Sequence, residues 1–154
     1  MPLVILPRLA VDDAPRFAPL LTAYSAALLR RDIQAADEAY ARKLLSDDEP
    51  VANVAGAELD GRLVGFALYY DLPEAISGKR AGQLDDLFVE PSARGHGVAK
   101  ALIARLVEEG VERGWMHLRW MVPENNPAAA LYDRIAERAP WRSYVIPIDR
   151  SVSW

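Results

Sequence analysis

Short alternating apolar runs fill the first half of the chain, and two later stretches place apolar residues at helical spacing. Leu3 to Arg8 reads as a strand. In "VDDAPRFAPLLTAYSAALLR", Asp12 or Asp13 can cap a helix and Pro15 suits its first turn. A second helix is predicted over roughly Ala35 to Leu45, ending before "SDDEP". "VANVAGAELDGRLVGFALYY" reads as a hairpin about Asp60-Gly61, a dipeptide that suits a tight turn. "DLPEAISGKR" reads as a loop, and Gly82 to Glu90 as a strand stopped by Pro91. From Val98 the residues Val98, Ala99, Leu102, Ile103, Leu106, Val107 and Val111 recur on one side of a helix. Glu109 and Arg113 can pair on its wet side, and Gly114 ends it. Trp115 to Val122 is strand-like. "PENNPAAALYDRIAER" predicts a loop and a helix with Pro127 in its first turn, and "WRSYVIPID" a last strand.

The order β-α-α-β-β-β-α-β-α-β describes an α/β domain with a mixed, mostly antiparallel sheet flanked by helices. The strands at 82–90 and 115–122 are expected to be parallel, joined by a right-handed crossover through the helix between them. The 154 residues are read as one domain, 1–154, with no repeat or linker. There is no cysteine, which excludes disulfides, thiolate metal sites and a cysteine nucleophile. With two histidines, His96 and His117, no metal is expected. The formal charge of -4 and the lack of a basic run argue against a nucleic-acid partner. No apolar segment approaches the ~20 residues that cross a bilayer, so no membrane partner is expected. The apolar run in "MPLVILPRLA" has no basic region before it and reads as a strand, not a signal peptide; cytoplasmic location is the default reading.

"ARGHGVAK" at 93–100 stands where a strand hands over to a helix. The first amides of a helix lack internal partners and point outward with the positive end of its dipole, and glycines let an anion approach closely. A glycine-containing turn with no ligand is the plain alternative. Two phosphate motifs fail here. A Walker loop needs Ser or Thr after its lysine, but Ala101 follows Lys100. A dinucleotide fingerprint needs a third glycine, and Lys100 stands at that place.

What remains is R-x-x-G-x-A: Arg94, Gly97 and Ala99. This resembles the pyrophosphate loop, Q/R-x-x-G-x-G/A, of the GNAT superfamily of N-acetyltransferases. Downstream, Asn125, Ala128, Leu131 and Tyr132 resemble that family's second signature, N-x-x-A-x-x-L-Y. "GFALYY", "LDDLFV" and "ALYDRIAER" are similar to its spermidine/spermine, thialysine and small histone-acetyltransferase-like branch. The resemblance implies the GNAT fold, acetyl-CoA as cosubstrate and a homodimer. It further implies direct transfer of acetyl, in a ternary complex, to a primary amine of a polyamine, diamine, amino acid or lysine-type acceptor.

By the same resemblance, Gly95, His96, Gly97, Val98, Ala99 and Lys100 join Arg94 in holding the pyrophosphate. Leu87, Phe88 and Val89 pair with the pantetheine arm, and Asn125 and Ala128 contact it. An amide of Phe88 or Val89 steadies the oxyanion. An alkyl amine has a pKa near ~10.4, so a base helps. Asp85 is expected as that base or as an amine anchor. Asp86, on the opposite face of a regular strand, makes a structural contact or lines the substrate pocket. Both are solvent-facing carboxylates in the plainer reading. Tyr132 is the candidate acid for the leaving thiolate; otherwise it is a core tyrosine. Trp120 is expected near the acyl site, and Tyr24 and "SDDEP" near the amine. Pro140-Trp141 stands where the family usually has Gly-Phe, which bears on the acceptor pocket. An acyl-CoA sensor without turnover is the competing reading. Acetylation of a charged transfer RNA would call for a basic surface, which the charge does not favour.

Overall fold

A computed structural model describes residues 2–29, 38–48 and 51–149. The chain divides into two compact units, Met1–Met121 and Val122–Trp154.

The first unit holds a five-stranded sheet in the order β1-β2-β3-β4-β5. Its strands are β1 (Leu3–Leu6), β2 (Ala52–Leu59), β3 (Arg62–Glu74), β4 (Lys79–Val89) and β5 (Trp115–Trp120). The first three pairings are antiparallel, and β4 pairs parallel with β5. Its helices are α1 (Ala14–Leu29), α2 (Glu38–Leu45) and α3 (Val98–Arg113). The expected start of α2 near Ala35 lies outside the described residues. At the head of α1, Asp12 and Asp13 lie inside a short 3-10 turn whose N-cap is Ala10; the Asp13 carboxylate accepts the Ala10 amide at 2.7 Å, and neither acid is that cap.

β1 stops at Leu6, short of the expected Arg8, and three further sequence expectations change in this unit. The segment 71–80, read as a loop, is mostly paired strand: Glu74 faces Lys79 across a four-residue turn. The Glu74 carboxylate accepts the Ser77 amide at 2.7 Å, and Gly78 takes a φ of +68°. A polar tip of this kind hides a long hairpin from any reading by hydrophobic pattern. Second, β5 ends at Trp120, two residues before Val122.

Third, Val107 and Val111 are exposed, while Glu109 and Gly110 on α3 are buried. The cause is Trp115, whose ring lies against Gly110 and Gly82: a Cβ on either glycine would overlap it. The indole Nε1 donates to Asp71 at 2.8 Å. Glu109 pairs with Arg113 at 2.7 Å as expected, but from a buried carboxylate to an exposed arginine, and also with Arg105 at 3.1 Å. Burial, helped by the Glu109 charge, pushes the Tyr69 phenol up to about 12.

The other face of the sheet carries an apolar cluster. Phe17 and Phe66 meet edge to face at 5.1 Å between ring centroids, and Tyr24 rests on Phe66 and Phe88 at 5.8 and 5.7 Å. Leu9, Leu21, Ala41, Leu45, Val54 and Leu68 complete this layer between the sheet and α1 and α2.

The second unit contains α4 (Ala129–Ile135). Pro127 lies in the turn just before α4, not within its first turn. The expected last strand does not form. Residues 141–147 have no strand pairing, and Trp141, Tyr144, Ile146 and Ile148 are exposed. Alternation of large side chains suggested a strand, but Pro140 and Pro147 each remove a ladder donor. Among the described residues, no helix is long and apolar enough to cross a membrane.

Candidate active site

The centre of the site is a mismatch in the sheet. Leu68 faces Asp86 and Tyr69 faces Leu84, so Asp85 is an extra residue on β4, a β-bulge. A bulge sets two consecutive residues against one and breaks the strict alternation of faces. Asp85 and Asp86 were expected on opposite faces. Instead both line one cavity of about 260 Å³, bounded also by Tyr24, Tyr40, Tyr70 and Leu68.

The two carboxylates are not equivalent. Asp85 is exposed and accepts a long hydrogen bond from the Gln83 amide at 3.3 Å. Asp86 is half-buried and accepts the Tyr24 hydroxyl at 2.9 Å. Burial raises its pKa above the ordinary carboxylate value, the Tyr24 hydrogen bond opposes this, and the Asp85 charge adds to it. Tyr24 thus lines the same cavity as the two carboxylates. Tyr40 and Tyr70 line it too, and sequence reasoning missed both. Alternation along β3 would have placed Tyr70 on the face of Phe66 and Leu68. For Tyr40 no such signal existed, because its place depends on how α2 lies on α1. The described part of "SDDEP", residues 46–48, does not line this cavity.

The bulge also marks where β4 and β5 part. Leu84 with Trp120 is their last pair, and among the described residues no β5 residue pairs with β4 beyond it. Trp120 closes β5 and does not line the acid-bearing cavity. Leu87, Phe88 and Val89 lie on the stretch past that fork. An extended chain carrying amides could add there by strand-like hydrogen bonds.

Beyond Val89 the chain turns into α3 through Gly95 and Gly97, with φ of +81° and +76°. These left-handed values strain any residue with a Cβ. No atom lies within 4 Å of a Cβ built on either glycine, so the space beside the turn is open. No side chain caps α3, whose first residues are Val98, Ala99 and Lys100. The Arg94 Nε donates to the Val89 carbonyl at 3.1 Å, holding the guanidinium beside the strand end. His96 folds back: its Nδ1 lies 3.1 Å from the carbonyls of Ala93 and Arg94, two acceptors, so Nδ1 carries the proton. Open glycine backbone, an uncapped helix start and an arginine fit the pyrophosphate of a coenzyme A thioester.

In the second unit, Asn125 adopts a φ of +63°, and the Asn126 side chain accepts the Ala128 amide at 2.8 Å just before α4. Asn126, not singled out from sequence, therefore fixes this turn. Tyr132 is half-buried within α4, and burial raises its phenol pKa. Among the described residues, no group of three or more His, Asp or Glu side chains is placed to hold a metal ion.

Comparison with known proteins agrees with this geometry. An L-2,4-diaminobutyric acid acetyltransferase from Nocardia farcinica is 34% identical over 103 residues, 66% of this chain. The chain spans about half of that relative, 51% of its length. An uncharacterized N-acetyltransferase from Bacillus subtilis is 32% identical over 125 residues, 80% of this chain and 82% of the relative. The crystal structure of a ribosomal-protein-alanine N-acetyltransferase from Brucella melitensis superposes with a TM-score of 0.84 at 42% identity, covering 96% of this chain and all of that one. These names span a small diamino acid and an alanine of a ribosomal protein, so they do not single out the polyamine branch. The sequence profile of the acetyltransferase (GNAT) family matches residues 17–136, and both signatures lie inside that span. The chain belongs to this family of acetyl-CoA-dependent N-acyltransferases.

Proposed function

We propose that the protein acetylates a primary amine bound in the cavity of Asp85 and Asp86, by direct attack in a ternary complex. The observation that carries this reading is the bulge. It sets two carboxylates in one cavity at the fork of β4 and β5, on the strand that leads into the glycine loop. Acetyl-CoA would supply the acetyl group as an activated thioester, held by Arg94 and the amides from Gly95 to Lys100. Leu87 to Val89 would pair with its amide arm, and Asn125 and Ala128 would contact it, roles taken from the two signatures.

An alkyl ammonium must shed a proton before it attacks. Asp85, at the open side of the cavity, draws that proton off through water, while Asp86 holds positive charge deeper in. The amine nitrogen bonds to the thioester carbonyl carbon, and the Phe88 or Val89 amide steadies the oxyanion. The nitrogen, positively charged after attack, gives up its second proton to water; as the intermediate collapses, the C–S bond breaks and sulfur leaves with the electron pair. Tyr132 serves that sulfur by its place in the second signature. Full proton transfer from a phenol near ~10 to a thiolate near ~8.5 is uphill by about 2 kcal/mol, and burial of Tyr132 steepens it. Tyr132 therefore acts mainly as a hydrogen-bond donor while charge grows on sulfur, and solvent completes the thiol at neutral pH. The chain has no cysteine to carry acetyl, so no thiol-bound intermediate is invoked. A homodimer, implied by the resemblance, is part of this reading.

Calorimetry with acetyl-CoA and thiol release across a panel of amines test it together. Micromolar binding with amine-dependent thiol release is expected. Tyr132→Phe should lower kcat by ~100-fold, as loss of one donor to a developing anion does, and leave acetyl-CoA affinity unchanged. Binding without release from any amine would favour the sensor, which the acetyltransferase names of the relatives do not.

A further inference from the structure

The charge of the cavity constrains the acceptor further. Its lining carries two carboxylates and three phenols, from Asp85, Asp86, Tyr24, Tyr40 and Tyr70. Among the described residues that line it, none is a lysine, arginine or histidine. An α-amino acid or a sugar phosphate would bring an anion beside Asp85 and Asp86 with no counter-charge on that lining. A buried unpaired anion is among the costliest groups to place. Within the family reading, we propose that the acceptor is an oligoamine: at least two amino groups on a short uncharged body, with no carboxylate or phosphate on the part that the cavity holds.

Two acids at different depths suit two nitrogens in different states. The reacting nitrogen must become neutral, so it needs an acid in contact with water, and Asp85 is exposed. The second nitrogen stays protonated and needs a fixed, desolvated partner. Asp86 is half-buried and oriented by the Tyr24 hydroxyl at 2.9 Å. A bound ammonium would offset the burial that works against the charge of Asp86, and the tyrosine rings offer faces that attract cations. A monoamine would leave that carboxylate without a cation. An amino acid would satisfy it and then place its own carboxylate in the same field. Asp86 is thus the specificity-determining residue, and Tyr24 the positioning residue behind it.

Cadaverine, lysinamide, lysine and pentylamine share one alkyl reach and differ only in the second amine and the carboxylate. kcat/KM from thiol release should be at least ~10-fold higher for cadaverine and lysinamide than for lysine, a small fraction of what repulsion in a dry site can exert. Cadaverine should also exceed pentylamine by ~10-fold, and Asp86→Asn should erase most of that second margin while acetyl-CoA affinity holds. Lysine matching cadaverine, or pentylamine matching it in the wild-type protein, overturns the proposal. So does acetyl-CoA binding with no thiol release from any of the four. Failure to bind acetyl-CoA at all overturns the family reading beneath it, a result calorimetry separates from the others.

Discussion

Asp86 trades stability for readiness to meet a cation. Its pKa is raised in the folded chain, chiefly by burial, so the folded state binds its proton more tightly than the unfolded state does. The associated stability is present below the ordinary carboxylate pKa and is lost as pH rises through the raised value. Asp86→Asn keeps the Tyr24 contact and removes the charge. It should raise Tm at pH 7 over the wild type, with the gap closing near pH 3, measured by thermal melts across that range. A variant less stable at pH 7 would show that the ion is favoured where it sits. At this scale the sequence was informative about kind and silent about direction. Asp85, Asp86 and Tyr24 were all singled out, but alternation along a regular strand placed the two acids on opposite faces. One extra residue in β4 reverses that, and no local pattern in "QLDDLF" announces a bulge.

Elements were legible where periodicity or a turn dipeptide spoke. The Asp60-Gly61 hairpin, α3 and the parallel β4–β5 pair stand as read, while 71–74 and 79–80, which are strand, and 141–149, which form none, do not. Polar or proline-containing stretches carry little hydrophobic signal, so partners elsewhere in the chain decide their state. The packing of α3 shows the same limit. Gly110 reads as a weak spot in a helix, yet it makes room for Trp115. At an ordinary helix interior site, Gly→Ala stabilises by about 1 kcal/mol. Here a Cβ would lie 2.7 Å from the indole, so Gly110→Ala should instead destabilise, by ~1–3 kcal/mol as overpacking does. Chemical denaturation decides this by its sign.

For the whole molecule, charge is the property that reaches beyond the site. The chain carries a formal -4, and its acid-bearing cavity opens to solvent through Asp85. Like-signed field over an entrance concentrates cations and speeds their encounter. kcat/KM for an oligoamine should therefore fall several-fold between ~20 and ~300 mM salt, as the screening length shortens from roughly 20 Å to below 8 Å. The acetyl-CoA term should respond differently, because in the proposed site its anionic phosphates would meet Arg94 and helix amides. Salt-insensitive oligoamine kinetics would remove steering as a factor. Fold family and cosubstrate were legible at this scale because two short signatures carry them. The acceptor was not, because its pocket gathers residues from α1, α2, β3 and β4 that share no motif.

The bulge also makes one residue of β4 dispensable to the sheet. Leu84 pairs with Tyr69, on the side of α3, while Asp86 and Phe88 pair with Leu68 and Phe66, on the side of α1. With Asp85 excised, Leu84 and Asp86 would become neighbours and still face opposite ways, as a regular strand requires. Every other side chain would keep its face and its partner. Shortening β3 by one residue in the middle offers no such slack and would turn half of that strand inside out. The proposed chemistry thus rests on a residue that the ladder itself does not count, so a reaction carried there could be tuned with the architecture left alone.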